Sequence, residues 1–284
     1  MQKIEEFLAQ RPANPIYHYA EAKAAINIIQ TRTLWATKVR HLNDSTEILH
    51  SQEWLVAELK KRDVRRAAEV LSGGVREPIP GKGGVLSAPL VGGAIATAKT
   101  LDPPVYVVSF SEEDNLLSQW RAYCSGSNGY SLGFDASAFD HTSTGSPLMV
   151  KCVYAEQEKQ DLCHALVESW NEQSLETEED ATAFLRNCYA IMAAVKHHSF
   201  EEEREWRIVT VPSLANITLK FRSGRHGIVP FIELPTTSQL PLHRICIGPN
   251  SDSEAAKSAL KYLLQVEGLD KKVEIGVSDI PFRQ

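Results

Sequence analysis

The densest run of reactive side chains is Glu201-Glu202-Glu203-Arg204-Glu205-Trp206-Arg207-Ile208-Val209. Alternate residues of an extended chain share a face. Glu203, Glu205 and Arg207 therefore point one way, and Arg204, Trp206 and Ile208 the other. Two carboxylates and a guanidinium at a strand edge can hold a cation, or steady a positive charge as it develops. Repulsion between the acids raises one carboxyl pKa, and Arg207 opposes that rise. The competing interpretation is an exposed acidic turn with an ion pair, and the pattern alone leaves both open.

Three further clusters can do chemistry. In Tyr17-His18-Tyr19 the imidazole can hydrogen-bond a sugar hydroxyl while a tyrosine ring stacks on a base; a histidine in such a place is equally a structural residue. Ser109-Phe110-Ser111, followed by Trp120, Arg121 and Tyr123, suits an aromatic ligand bearing phosphates, although Phe110 and Trp120 also read as core. Neither serine lies in a G-x-S-x-G turn, which argues against a serine hydrolase. Ile247-Gly248-Pro249-Asn250-Ser251-Asp252 runs from a strand to a helix start, where an ordinary cap is preferred to an anion site. No metal is expected: Cys163-His164 and His197-His198 are adjacent pairs that diverge on a helix, and no zinc or calcium spacing is present. Gly81-Lys82-Gly83-Gly84 lacks the spacing and hydroxyl of a phosphate loop.

The elements that must position these groups follow from periodicity. Short strands are expected at Ile16–Tyr19, Leu34–Thr37, Val105–Phe110, Tyr130–Phe134 and Leu148–Tyr154. Further strands are expected at Trp206–Val211, Ile217–Phe221, Val229–Leu234, Arg244–Gly248 and Val273–Gly276. Helices are expected over the first ten residues, Glu21–Thr31, a stretch beginning near Ile48, Asn115–Tyr123 capped by Asp114, Glu156–Trp170, Glu179–His197 and Glu254–Val266. Lys60, Lys61, Arg62, Arg65 and Arg66 give the stretch beginning near Ile48 a basic face, read as solvated. Helices between non-adjacent short strands predict an α+β domain rather than a regular alternating sheet.

Composition bounds the rest. The 284 residues carry 30 basic and 36 acidic side chains, a net charge of −6, which argues against a DNA-coating surface but not against a basic pocket. With 43% hydrophobic and 23% charged residues the chain reads as globular rather than disordered. One α+β domain spanning 1–284 is expected, with the Gly-, Pro- and Ala-rich stretch Gly73–Pro104 as an insertion or flexible cover. The charged opening Met1–Glu6 predicts no secretory leader, and the longest uncharged stretch, Gly83–Ala98, is too short for a membrane helix. Five scattered cysteines without a C-x-x-C pair predict neither zinc nor disulfides, and so a cytoplasmic setting without membrane attachment.

Taken in order, Tyr17-His18-Tyr19, Leu34-Trp35, Asn43-Asp44-x-x-Glu47, Ser109-Phe110-Ser111-Glu112, Trp120-x-x-Tyr123, Gly129-Tyr130-Ser131-Leu132-Gly133-Phe134-Asp135, Glu203-x-Glu205-Trp206-Arg207 and Ile245-Cys246-Ile247-Gly248-Pro249 resemble a bacterial family known as domain of unknown function 2971. Ser45 stands where that family often has proline, and Gly73–Pro104 has no counterpart in the resemblance. A looser similarity is to the ADP-ribosyltransferase fold, including enzymes that modify DNA. Those enzymes use a first-strand His or Arg, a middle Ser, Thr or Tyr and a late Glu, an order met here by His18, Ser109 or Tyr123, and Glu205.

That similarity implies split mixed or antiparallel sheets with flanking helices, and NAD as substrate. It implies cleavage of the nicotinamide–ribose bond and transfer of ADP-ribose to a macromolecule, nucleic acid or protein. It also implies a toxin or phage-defence role, with a neutralising partner protein. In this reading Glu205 stabilises the oxocarbenium-like sugar and Glu203 activates the acceptor. His18, with Ser109 and Ser111, holds ribose hydroxyls, Tyr19 or Tyr123 stacks on nicotinamide, and Arg121 or Arg207 meets the pyrophosphate. The alternatives are an NAD glycohydrolase, a non-catalytic nucleotide or nucleic-acid binding module, and a metal-dependent nuclease built on Glu203 and Glu205.

Overall fold

The computed structural model describes residues 2–13, 15–42, 105–124, 129–139, 147–172, 178–212, 218–224, 227–236, 240–249 and 252–281, without the side chains of 138, 170–172 and 178–185. The expected helix near Ile48, its basic face and the Gly73–Pro104 insertion lie outside these residues.

Ten strands are described: β1 Ile16–Glu21, β2 Thr33–Lys38, β3 Tyr106–Ser111, β4 Gly129–Phe134, β5 Leu148–Lys151, β6 Glu205–Thr210, β7 Lys220–Gly224, β8 Gly227–Pro235, β9 Leu242–Ile247 and β10 Glu274–Val277. The described α-helices are α1 Gln2–Leu8, α2 Ala22–Thr31, α3 Leu117–Tyr123, α4 Glu156–Glu172, α5 Glu178–Ala194 and α6 Ser253–Val266. The fold is thus mixed α and β around a mostly antiparallel sheet; β9 and β10 are its one parallel pair among the described strands. The strands form one connected sheet, in the order β10-β9-β4-β1-β3-β2-β8-β7, with β6 on β3 and β5 on β6.

That single sheet replaces the expected separate ones, and it forks on β3. β6 pairs with β3 from Tyr106↔Thr210 to Ser111↔Glu205 and so takes one edge over its whole length. β1 and β2 must share the other edge. β2 meets it at Tyr106 and Val107, and β1 at Ser111. Between those contacts the strands part, and the gap falls beside Ser109.

Both faces of the sheet are covered. Val107 and Val209 face a core shared with α1, α4 and α5. Tyr106, Val108, Phe110, Trp206 and Ile208 face a second core with α2 and α6. Two-sided burial explains why β3 opens on the apolar run Tyr106-Val107-Val108. A third cluster, Tyr19, Trp120, Cys124 and Cys246, seats α3 over β1, β4 and β9. Glycine makes that seat possible. A Cβ on Gly248 would lie 2.9 Å from the Trp120 ring, and one on Gly129 would lie 2.2 Å from Cys124 Sγ.

Two local expectations change and one holds. Asp114 does not cap α3; it pairs with Arg244 Nε at 2.9 Å. The capping position falls to Leu116, whose N–H donates to the Tyr19 hydroxyl, and that hydroxyl donates to the Glu113 carbonyl, each at 2.9 Å. The expected strand to Tyr154 stops at Lys151, because Val153 leaves the antiparallel ladder to bridge Val195 in parallel. Asp252 caps α6 through the Ala255 N–H, so the Ile247–Asp252 turn is the ordinary helix start that was preferred.

Candidate functional site

Glu205 and Arg207 sit two apart on β6 and share a face, opposite Ser111 and Ser109 on β3. Glu203 is not in the strand. It ends a tight turn, His198–Glu203, and Arg204 follows with φ 42°, in the left-handed region. That reversal returns Glu203 to the same place as Glu205. The junction between them is Lys196, the second residue after α5. Its Nζ donates to Glu203 Oε2 and to Glu205 Oε2, each at 2.5 Å.

Arg207 completes the cluster from behind. Its Nε donates to Glu205 Oε1 at 2.7 Å, Nη2 to Glu205 Oε2 at 3.0 Å, and Nη1 to the Ala193 carbonyl at 2.7 Å. The Glu205 N–H donates to the Tyr154 hydroxyl, and the Glu205 carbonyl accepts from Cys152 N–H. Lys196, Glu205 and Arg207 are all buried, so the charges must be paired to be tolerated. Burial would raise the Glu205 carboxyl, but the Arg207 and Lys196 charges and their hydrogen bonds outweigh it and hold it down at about 2. It is therefore ionised at neutral pH. Arg207 opposes the rise as expected, and Lys196 adds to it.

His18 comes to this cluster through the fork in the sheet. Its Nδ1 lies 2.9 Å from the Ser109 carbonyl. A carbonyl can only accept, so Nδ1 carries the proton and Nε2 of the neutral ring is an acceptor. Burial lowers the His18 pKa, the bond to Ser109 opposes that, and the Arg222 charge lowers it further. The ring packs against Phe110, with centroids 5.7 Å apart.

One recess joins these groups. His18, Tyr19, Ser109, Phe110, Gln119, Tyr123, Glu203 and Glu205 line it. Its volume is about 30 Å³, room for one or two water molecules. Six residues singled out from the sequence thus meet in one place: His18, Tyr19, Ser109, Tyr123, Glu203 and Glu205. Three do not line it. Ser111 is buried beneath, where its hydroxyl donates to the Glu203 carbonyl at 2.8 Å and accepts from Glu113 N–H. Arg207 has its donors turned to Glu205 and Ala193, away from any ligand pyrophosphate. Arg121 is exposed on α3.

Sequence reasoning missed Lys196 and Gln119. The signal for Lys196 was a lone cation closing the apolar run Ile191-Met192-Ala193-Ala194-Val195. Gln119 sits four residues before Tyr123 and shares its helix face, a spacing that was open to inspection.

The Lys196 ammonium occupies the position between the oxygens of the two acids. His197 and His198 stack on each other at 4.1 Å on the surface rather than diverging on a helix. Among the described residues no group of three potential ligands converges. No described helix is long and apolar enough to cross a membrane. The five cysteines are buried thiols, none of them in a disulfide.

Residues 119–208 match the family model described as protein of unknown function, DUF2971. The DUF2971 match begins at Gln119 on α3 and ends at Ile208 on β6, and so takes in Tyr123, Lys196, Glu203, Glu205 and Arg207. His18 and Ser109 lie before it. No curated protein and no solved structure matches the chain. The similarity to ADP-ribosyltransferases therefore rests on the residues alone.

Proposed function

We propose that the recess is a glycosyl-transfer site that takes NAD, breaks the bond between nicotinamide and ribose, and passes ADP-ribose to a macromolecular acceptor. One observation carries this reading. An ionised, buried carboxylate (Glu205) shares a recess with a neutral imidazole and two tyrosine rings drawn from distant parts of the chain. Loss of nicotinamide leaves an oxocarbenium-like ribose. A carboxylate held by three donors is preorganised to face that charge without reorganising. Such an acid is too strong to serve as a base, so Glu205 acts by its field, and the acceptor's proton falls to Glu203. His18 Nε2 accepts from a ribose hydroxyl, and Tyr123 lies against the nicotinamide ring. The recess is smaller than a ribose, so the ligand enters by displacing Tyr123 and Gln119 on the seven-residue α3.

A second reading is favoured by one contact pattern. Both Glu205 oxygens already accept from Arg207 or Lys196, which suits a module that binds a nucleotide without turning it over. Incubation with NAD and DNA, RNA or protein acceptors separates the readings. Transfer puts ADP-ribose on a macromolecule, hydrolysis by a glycohydrolase gives free ADP-ribose, and the binding module releases no nicotinamide. Glu205→Gln should cut nicotinamide release by about 100-fold or more. A parent protein that releases none with any acceptor, or a Gln variant as active as the parent, overturns the proposal.

A further inference from the structure

Beyond the fork, β2, β8 and β7 form a wing of the sheet. Paired residues of antiparallel strands share a face, as do residues two apart in one strand. Thr37↔Val107 puts Thr37 on the face of Ser109, Ser111 and Glu205. Thr37↔Phe231 and Trp35↔Glu233 carry that face onto β8, and Arg222↔Val229 carries it onto β7. Trp35, Thr37 and Arg222 therefore stand on the side of the sheet that holds the acidic cluster.

Two of these three, Trp35 and Arg222, are under-satisfied among the described residues. Arg222 Nη2 donates to Thr37 Oγ1 at 3.1 Å. Among the described residues its Nε is buried with no hydrogen-bond partner, and so is Trp35 Nε1. Trp35 itself is held by packing on Phe231, with ring centroids 4.8 Å apart. Among the described residues, the acid whose charge reaches Arg222 is Glu21, and no ion pair joins them. The guanidinium lies close enough to His18 for its charge to bear on that ring. A buried N–H left without an acceptor destabilises the fold. Indole and guanidinium nitrogens are donors only, so the missing partner is an acceptor. A phosphate, with several charged oxygens, is the group that answers both donors at once.

We infer that Trp35, Thr37 and Arg222 form a phosphate-binding subsite that takes the diphosphate of a nucleotide whose sugar enters the recess beside His18. The choice of diphosphate among anions rests on the nucleotide reading above. It replaces Arg121 and Arg207, one exposed and the other turned to Glu205, as the cation for that group.

Calorimetric titration of the full chain with inorganic pyrophosphate, ADP-ribose and phosphate-free nicotinamide riboside tests this. Arg222→Gln should weaken ADP-ribose and pyrophosphate about tenfold or more and leave the riboside unchanged. Trp35→Phe keeps the ring, loses the donor, and should weaken the same two ligands by a smaller factor. Circular dichroism melts check that each variant folds, and if the Arg222 variant does not, the Trp35 variant decides. A parent that binds neither phosphate ligand at millimolar concentration overturns the subsite, as do variants that bind like the parent. If phosphate binding depends on Arg222 while NAD is not cleaved, the subsite stands and the glycosyl-transfer reading falls. If NAD is cleaved and Arg222→Gln leaves its KM unchanged, the reverse holds.

Discussion

Glu205→Gln also tests the acidic cluster as a folding element. The Glu205 carboxyl falls from an ordinary 4.5 to about 2. A tenfold change in proton affinity is about 1.4 kcal/mol, so this drop corresponds to about 3 kcal/mol. A carboxyl whose folded pKa lies below its unfolded one contributes that stability in full above pH 4.5. The contribution is lost as the pH falls from 4.5 towards 2. Glutamine keeps the shape and removes the titration. It also leaves Arg207 and Lys196 short of a counter-charge in a buried site, at a cost of about 3–5 kcal/mol at pH 7. Urea unfolding of both proteins at pH 7, 5, 4 and 3 reads the two effects together. The gap should be widest at pH 7 and close by about 2 kcal/mol at pH 3, because the parent alone loses the carboxylate's share. A gap of constant size across that range would refute the claim that Arg207 and Lys196 hold the carboxyl down.

The remaining expectations concern the groups around it. Lys196→Met should lose about 3–5 kcal/mol in urea melts, and adding Glu203→Gln should recover part of it; strictly additive losses would contradict a shared network. Because burial and then the Arg222 charge lower His18, it should stay neutral below its ordinary 6.5, and its protonation should cost stability as the pH falls beneath that value. An imidazole NMR titration with a midpoint at or above 6.5 would contradict this. Gly248→Ala places a Cβ 2.9 Å from a Trp120 ring that is 1% exposed and has nowhere to go. It should cost about 1–3 kcal/mol, and an unchanged Tm would show that α3 is not seated as described. On the proposed reading EDTA should leave nicotinamide release from NAD intact, since an ammonium already bridges the two acids; loss restored by a divalent ion would show that a metal, not Lys196, joins them.

Most strands and helices were legible because burial on both faces leaves long apolar runs that periodicity detects, as in Tyr106–Phe110. Element ends were less so. Asp114 reads as a cap from its type, but the Tyr19 hydroxyl, some hundred residues away, takes over the start of α3, and Asp114 turns to Arg244. The face shared by Glu205 and Arg207 follows from strand alternation. Glu203 joins them for a different reason, the left-handed turn at Arg204, which no alternation rule contains. Lys196 was illegible as a partner because its role depends on a tertiary return. The bridge between Val153 and Val195 fixes the backbone beside it, and only then does its ammonium reach two carboxylates. Nothing in sequence spacing distinguishes an arginine whose counter-charge is two residues away, as for Arg207, from one that makes no ion pair among the described residues, as for Arg222.

The fork in the sheet explains why one histidine can be structural and chemical at once. Backbone groups of an internal strand are normally closed by their neighbours. Beside Ser109 the two neighbours of β3 diverge, and the His18 ring supplies a donor to the carbonyl that a third strand would otherwise meet. That single bond fixes the proton on Nδ1. Burial and the nearby guanidinium oppose a second proton, so Nε2 stays an acceptor. Whatever meets it must donate, as a sugar hydroxyl does and an ionised phosphate does not. On the proposed reading the same fork sorts the two ends of a nucleotide, hydroxyls to the imidazole in the gap and the diphosphate to the donors of Arg222 and Trp35 on the wing beyond it.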